Sequence, residues 1–411
     1  MYYGIIVINW HYLIRPLIII TLFFYSLMLK IHSKTMKNLS LICFPAIPKI
    51  FYVLNAACAV SYMFNYQLSM LCFVFVRCRQ TGDMVAGILV MSLSANSLIG
   101  ITKLIYITNV QSMVTGYIAY DTLPPAPATL AQLRATLRSV KKRAILVWVV
   151  MMGNSFVYNL QPLLMPNKHV LYDEHVLFGF EYLLGTSNYL LALVNIITSV
   201  EFICFTVANI TGLLIVTTGY SEGRMLALSQ EMRELWSDAQ QHCKEYFNID
   251  TEDFQNQLAS RELNKYVKDR LNGIVQSHAM NVDLVKRVNG IFREAIATEF
   301  LLLTGALIAD LLGGLEQTYI ILPFALMQVS MDCYVGQKLM DASLVFEGAV
   351  YDCNWETFDV SNMKTVLMIL KMSQKTLKLT AGGVSTLSFG CLMVFIKSVY
   401  SAYAALRSTM E

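Results

Sequence analysis

Cys391, Val394, Ser398, Ser401, Ala405 and Ser408 recur at alternating spacings of three and four along the last apolar stretch of the 411-residue chain. Helical geometry gathers residues so spaced onto one narrow stripe, which becomes small and hydroxylic towards its C-terminal end. Phe395, Ile396, Tyr400 and Tyr403 fall on the other sides. Hydroxyls on one flank of a membrane-crossing helix suit water better than lipid, so the chemistry they offer is ion permeation. Close helix packing uses the same small residues, and the stripe alone does not separate the two readings. Lys397 sits beside the stripe, where an ammonium in an apolar segment needs a partner or a route to water. No acidic ring accompanies the stripe, so strong selectivity among cations is not expected. Arg407 is placed to reach headgroups or loop carboxylates.

The remaining reactive side chains do not converge. The six histidines (His11, His32, His169, His175, His242 and His278) form no cluster, and His169 and His175 read as isolated loop residues. The nine cysteines (Cys43, Cys58, Cys72, Cys78, Cys204, Cys243, Cys333, Cys353 and Cys391) are scattered, without a CxxC pair. Neither a zinc site nor a disulfide framework is indicated, and buried apolar packing is their expected use. Thr380-Ala381-Gly382-Gly383 lacks the Lys-Ser/Thr of a phosphate loop. Its glycines fit a close approach between the short helix before them and the last helix. No catalytic group, metal or cofactor is expected, and a net charge of +3 is too small to imply nucleic acid.

The elements that position the stripe belong to a membrane protein. The chain is 56% hydrophobic and 14% charged, against about 25% charged in soluble proteins. Stretches of about 20 apolar residues match a hydrocarbon core of about 30 Å and must be helical there. The expected fold is all-α and polytopic, with seven transmembrane helices near Phe51–Val76, Val85–Tyr106, Ala144–Leu164, Tyr182–Thr218, Ala295–Leu315, Tyr319–Val345 and Leu379–Leu406. The fourth is too long for a span alone and projects beyond the bilayer. Residues 222–294 hold over a third of the Asp, Glu, Lys and Arg residues. There Leu263, Val267, Leu271, Ile274 and Val275, then Val282, Val285, Val288 and Phe292, recur at helical spacing. With no separate apolar core evident, that stripe is expected to meet a partner subunit. The chain thus divides into 1–50 (an apolar segment and a basic stretch), 51–221 (spans one to four), 222–294 (an intracellular helical anchor) and 295–411 (spans five to seven with a short intracellular helix).

Lys and Arg accumulate on the cytoplasmic side. Arg134, Arg138, Lys141, Lys142 and Arg143 follow span two, and Lys30, Lys34, Lys37 and Lys49 precede span one. The loop after span three carries Asp173, Glu174 and Glu181 against Lys168. Span one therefore starts inside and the C-terminus lies outside. The apolar run Tyr12 to Leu29, broken by Arg15 and Pro16, fits a misassigned start or an interfacial helix better than an eighth span. The sequon at Asn38-Leu39-Ser40 tests the orientation.

From about residue 50 onward the chain resembles the insect odorant receptors. The phrases are Gln328-x4-Cys333-x2-Gly336-x2-Leu339, Tyr351 with Trp355, a short helix from Thr365 to Met372, Ser373-Gln374-Lys375, Gly382-Gly383 and Tyr400-Ser401-x-Tyr403. His278 also matches a common family position. The resemblance implies a ligand-gated ion channel: a tetramer anchored through the intracellular ends of spans four to six and the following short helix, with the last span lining a central pore. It places Val394, Ser398, Ser401, Ala405 and Ser408 on the pore wall, with Ala405 and Ser408 at the outer gate and constriction. A length below that of the shared co-receptor implies a tuning subunit. The implied setting is a heterotetramer with that co-receptor, in the plasma membrane of olfactory sensory neuron dendrites. Most family members begin shortly before span one, a pattern that translation from Met36 would restore.

The resemblance further implies a pocket for a volatile odorant among spans two, three, four and six in the outer half of the membrane. The candidates there are Met91, Ser94 and Ala95; Gly153, Phe156 and Val157; Tyr189 and Leu193; and Tyr319, Leu322 and Leu326. Gly153 would leave room, Phe156 and Tyr319 would stack on a ring, and Ser94 would donate one hydrogen bond. Glu181 and Asp310 read as solvated boundary charges, and Asp332 as a deeper group with Lys397 as one conceivable partner. A gustatory receptor of the same fold is the nearest alternative. A G-protein-coupled receptor requires the reverse orientation, and a transporter requires repeated halves.

Overall fold

The computed structural model describes residues 57–78, 80, 82, 84–106, 127–164, 186–247, 257–314 and 321–410. The N-terminal segment, the Asn38 sequon, the acidic loop after span three and Tyr319 lie outside the described residues. The elements are α1 (residues 57–78, with π-helical turns at Tyr62–Leu68 and Phe73–Cys78), α2 (Met84–Tyr106), α3 (Pro127–Leu164), α4 (Thr186–Phe247), α5 (Gln257–Gly313) and α6 (Ile321–Tyr351). They are followed by α7 (Val360–Ser373), the antiparallel hairpin β1 (Thr380–Ala381) and β2 (Ser385–Thr386), and α8 (Phe389–Met410).

The fold is that of an all-α polytopic membrane protein. By length and composition α1, α2, α3, α4, α5 and α8 are each apolar enough to cross a bilayer. α6 falls short of that measure because Gln328, Asp332, Gln337 and Lys338 interrupt its apolar run. Gln328 and Asp332 are nevertheless buried against protein, so their helix sits inside the bundle. α4 and α5, at 62 and 57 residues, extend roughly 85–93 Å at about 1.5 Å per residue, nearly three times the hydrocarbon thickness.

The apolar stripe of residues 263–292 is not left for a partner. Leu263, Val267, Leu271, Ile274, Val285, Val288 and Phe292 are buried in this chain's own core, with Met232, Leu235, Cys243, Val350, Phe358, Val366 and Ile369. The expectation failed because the covering surface is assembled from α4, the end of α6 and α7, which are remote from the stripe in sequence.

α7 starts earlier than expected because Asp359 caps it. The Asn362 backbone N–H donates to the Asp359 side chain at 2.9 Å, and Asn362 Nδ2 donates to the Asn264 carbonyl at 2.9 Å, tying α7 to α5. The last helix begins at Phe389 rather than Leu379. Gly382 (φ +60°) and Gly383 (φ +76°) take the left-handed backbone that glycine adopts without penalty, so the chain folds back as the hairpin instead. Gly382 N–H donates to the Arg293 carbonyl at 2.9 Å and Thr380 N–H to Asn289 Oδ1 at 2.7 Å, fixing the hairpin to α5. Ser388 then caps α8, its hydroxyl accepting from Cys391 N–H at 3.1 Å.

Candidate ligand cavity and terminal helix

α1, α2, α3, α4 and α6 line a half-open cavity of ≈ 70 Å³. Its wall includes Tyr66, Leu93, Asn96, Ser97, Asn154, Ser155, Tyr158, Ile203, Cys204, Ile321 and Phe324. Apolar and aromatic groups dominate its wall with a few polar groups among them, the lining character of small-molecule sites in a volume below their usual range of about 300–1,000 Å³. Beside it Gln67 organises a satisfied network: its Nε2 donates to Ser94 Oγ at 2.5 Å, and its Oε1 accepts from Ser97 at 2.7 Å and from Tyr62 at 3.2 Å. On the far wall Ser155 and Asn159 donate to Glu201 at 3.2 and 2.7 Å.

The cavity lies among the helices that correspond to expected spans two, three, four and six, but on a rotated face. Leu93, Asn96 and Ser97 line it where Met91, Ser94 and Ala95 were expected, and Asn154, Ser155 and Tyr158 where Gly153, Phe156 and Val157 were. Met91, Phe156 and Val157 are 41%, 60% and 53% exposed on the outside of the bundle. Gly153 is exposed, Ala95 is half-buried, and Ser94 is buried on Gln67 instead of facing a ligand. Leu322 and Leu326 pack with Ile99, Val329 and Phe395, while the side chains of Tyr189 and Leu193 lie outside the described residues. Depth in the membrane selected the expected residues. Helix phase selects the lining of this cavity, and its sequence signal is the i, i+1, i+4 clustering of Asn154, Ser155 and Tyr158.

Three charges meet deeper in the bundle. Lys103 Nζ lies 2.7 Å from Glu299 Oε1, with 3% and 0% of the side chains exposed. The buried Asp332 carboxyl is within hydrogen-bonding reach of Glu299, and Thr211 Oγ1 is 3.5 Å from Lys103. The expected pairing of Asp332 with Lys397 is not made, since Asp332 is buried in this group and Lys397 is exposed on α8. Asp310 is no solvated boundary charge either: it is fully buried and accepts from Ser92. Lys103 and Glu299 escaped the sequence reading, although each interrupts an apolar run.

Of the described side chains of α8, only Phe395 and Val399 are buried. They pack on Ile99, Leu303, Leu307, Ala325, Val329 and Cys333, with the Phe395 and Phe300 rings 5.4 Å apart. Val394 is 66% exposed, and Ser398, Ser401, Ala405 and Ser408 are exposed as well. Cys391 is half-buried, its sulfur 3.1 Å from Ser385 Oγ. Arg407 Nη1 donates to the Tyr403 hydroxyl at 3.0 Å. Gly336 of α6 lies flush against Leu387, at the root of α8.

In the charged stretch 222–294, His278 stacks on Phe346 with centroids 4.9 Å apart, and burial pushes its imidazole below the ordinary value. Burial likewise raises the Glu231 carboxyl, against the opposing pull of Arg270 at 2.9 Å.

Residues 88–403 match the family described as "7tm Odorant receptor". Among curated relatives, the chain is 27% identical to odorant receptor 30a of Drosophila melanogaster over 164 residues, 37% of this chain and 43% of that one. It is 24% identical to odorant receptor 22c of the same species over 181 residues, 42% of each chain. These alignments therefore span about two-fifths of the relatives' length. The insect olfactory receptor OR5 from Machilis hrabei superposes with a TM-score of 0.62 at 13% identity, covering 87% of this chain and 89% of that one. Its complex with eugenol superposes with a TM-score of 0.69 at 12% identity, covering 98% and 100%.

Proposed function

The chain belongs to the 7tm odorant receptor family, and on that premise we propose that it is an odorant-binding subunit of a ligand-gated, nonselective cation channel assembled with the olfactory co-receptor. The observation that carries the channel reading is the bareness of α8. A 22-residue apolar helix that buries only two described side chains against its own subunit has its remaining surface available to neighbours, lipid and water. A tetramer supplies all three. Ser398, Ser401, Ala405 and Ser408 then face a central pathway, while Tyr400 and Ile396 meet lipid or the adjoining subunit.

The cavity among α1, α2, α3, α4 and α6 is the odorant site in this reading. The Machilis receptor, whose fold this chain shares, was captured with eugenol, which supports a small, largely apolar ligand here. Loop charge supports a cytoplasmic start for the first span, an intracellular anchor over 222–294 formed by the extensions of α4 and α5, and a cavity in the outer half of the membrane; family membership supports the plasma membrane of olfactory dendrites as the setting. A ligand that binds the open state more tightly than the closed one shifts the population towards conduction. Gly336 against Leu387 and Phe395 against Val329 give α6 two points from which to move α8.

The test is expression with and without an insect co-receptor in a cell that lacks both, recording current against an odorant panel. Odorant-evoked current that needs both chains and no G-protein signalling is the expected result. Silence despite surface delivery of both subunits would remove the proposal.

A further inference from the structure

Along α3, Arg134, Arg138, Lys142, Ile145, Val149, Gly153 and Phe156 succeed one another at spacings of three and four, which places them on one helix face. All of them are exposed. The face is cationic as far as Lys142 and apolar from Ile145 onward, so its character reverses within one turn. Half-buried Lys141 widens the cationic part, and exposed Leu146, Val150 and Val157 widen the apolar part. The cations are also unopposed. α3 contains no Asp or Glu, and Arg134, Arg138, Lys141 and Lys142 make no ion pair among the described residues. Arg143 differs, turning onto Glu222 of α4 at 3.0 Å. In the stretch 222–294, by contrast, Arg270, Arg287 and Arg293 are matched by Glu231, Asp283 and Glu294.

We propose that this face of α3 docks anionic phospholipid, and that a polyphosphorylated inositol headgroup is its preferred occupant. The unmatched charge sets the sign of the ligand. The exposed apolar run that continues the same face gives acyl chains a wall, which favours a lipid over a free phosphate. Reach sets the headgroup class. Arg134 lies about 12 Å along the helix from Lys142, whereas the headgroup layer is about 5–8 Å deep on each side of the hydrocarbon. A phosphatidylserine headgroup therefore meets Lys141 and Lys142, while an inositol ring with further phosphates projects to Arg138 and Arg134. Guanidinium grips phosphate oxygens with two parallel hydrogen bonds, as an ammonium does not, so the arginines stand where the outermost phosphates arrive. Each cation against an anionic headgroup adds about fivefold to affinity. This inference is independent of the odorant and channel readings. It requires that α3 cross the bilayer, as its length and composition allow.

The experiment follows the thermal midpoint of the detergent-purified full-length protein. The probes are short-chain phosphatidylinositol bisphosphate, phosphatidylserine and phosphatidylcholine, and inositol trisphosphate, which has the headgroup without the chains. The inositol lipid should stabilise at concentrations at least tenfold below phosphatidylserine, and phosphatidylcholine should give no saturable shift. Inositol trisphosphate should be at least tenfold weaker than the inositol lipid. Raising salt to about 1 M, where charges are screened beyond about 3 Å, should remove the preference. Arg134→Gln/Arg138→Gln should bring the inositol lipid down to the potency of phosphatidylserine without moving the lipid-free midpoint, since both side chains are exposed and unpaired. Where that variant is not recovered, Arg138→Gln alone should cost about fivefold. Lys364→Gln/Lys371→Gln/Lys375→Gln removes exposed cations from α7 and should leave the preference intact. Equal potency of the inositol lipid and phosphatidylcholine on the native protein overturns the proposal, as does an undiminished preference in the α3 variants. Equal potency of inositol trisphosphate and the lipid would assign a soluble anion instead. An equal loss in the α7 variant would assign the effect to overall charge, and either result sinks the docking surface.

Discussion

Replacing Lys103 by Met should damage this protein more than neutralising the carboxylate it contacts. Lys103 and Glu299 are 2.7 Å apart with at most 3% of either side chain exposed, and removing one member of such a buried pair costs about 3–5 kcal/mol. Asp332 makes the two deletions unequal. With Lys103 gone, the Glu299 and Asp332 carboxyls face each other with no cation among the described residues beside them. With Glu299→Gln, Lys103 keeps Asp332 as counter-ion and gains an amide acceptor, so the loss should approach that of one charged hydrogen bond, about 1.5–3 kcal/mol. The double variant Lys103→Met/Glu299→Gln should then be more stable than Lys103→Met alone, with a coupling of about 1–3 kcal/mol. The assay is the thermal midpoint of the detergent-purified full-length protein by size-exclusion, alongside the fraction reaching the cell surface. The expected order is native, Glu299→Gln, the double variant, then Lys103→Met. Additive losses in the double variant, or a native-like Lys103→Met, would refute the reasoning.

Gly336→Ala would place a Cβ 2.6 Å from the Leu387 Cβ and closer still to the Leu387 backbone oxygen. Backbone cannot rotate aside, so overpacking of about 1–3 kcal/mol should appear as reduced surface yield, whereas Gly153→Ala, with open space around it, should match the native protein. His278 titrates below its ordinary value because it is buried, so the folded state binds fewer protons than the unfolded one. Its contribution is complete above about pH 6.5 and declines as pH falls below that; the thermal midpoint should drop between pH 7.5 and 5.5, and His278→Phe should flatten the slope. Asp359→Ala removes the α7 cap and should cost about 0.5–2 kcal/mol, seen as lower thermal stability. Single cysteines at Ser398, Ser401 and Ala405 should react with a small water-soluble thiol reagent faster in the presence of odorant than in its absence; protection in both states would move the conduction path elsewhere.

Much of this architecture was legible from the chain. Apolar runs of bilayer length located the long helices, and the 3.6-residue recurrence at Leu263, Val267, Leu271 and Ile274 identified a helix. What covers that helix was not legible, because Met232, Val350 and Ile369 reach it only through tertiary contact. Gly382-Gly383 was visible as a special backbone position, but composition does not distinguish a close helix contact from a reversal. The cavity shows the same division. Hydropathy orders residues by depth and carries little information about rotation, so the expected residues share helices with the cavity wall and fall on other faces of them. Asn96, Lys103 and Glu299 carry a sequence signal of their own, since a polar group inside an apolar helix seeks protein or water rather than lipid.

Phe395 and Val399 moor α8 to its own subunit at one narrow line. A mast stepped at a single point takes its angle from the rigging. Here the hairpin on α5 is the step, and in the proposed assembly the adjoining subunits would be the stays. On that proposal the same polypeptide would stand its last helix differently beside different companions, with conductance belonging to the assembly while ligand preference stays with the chain.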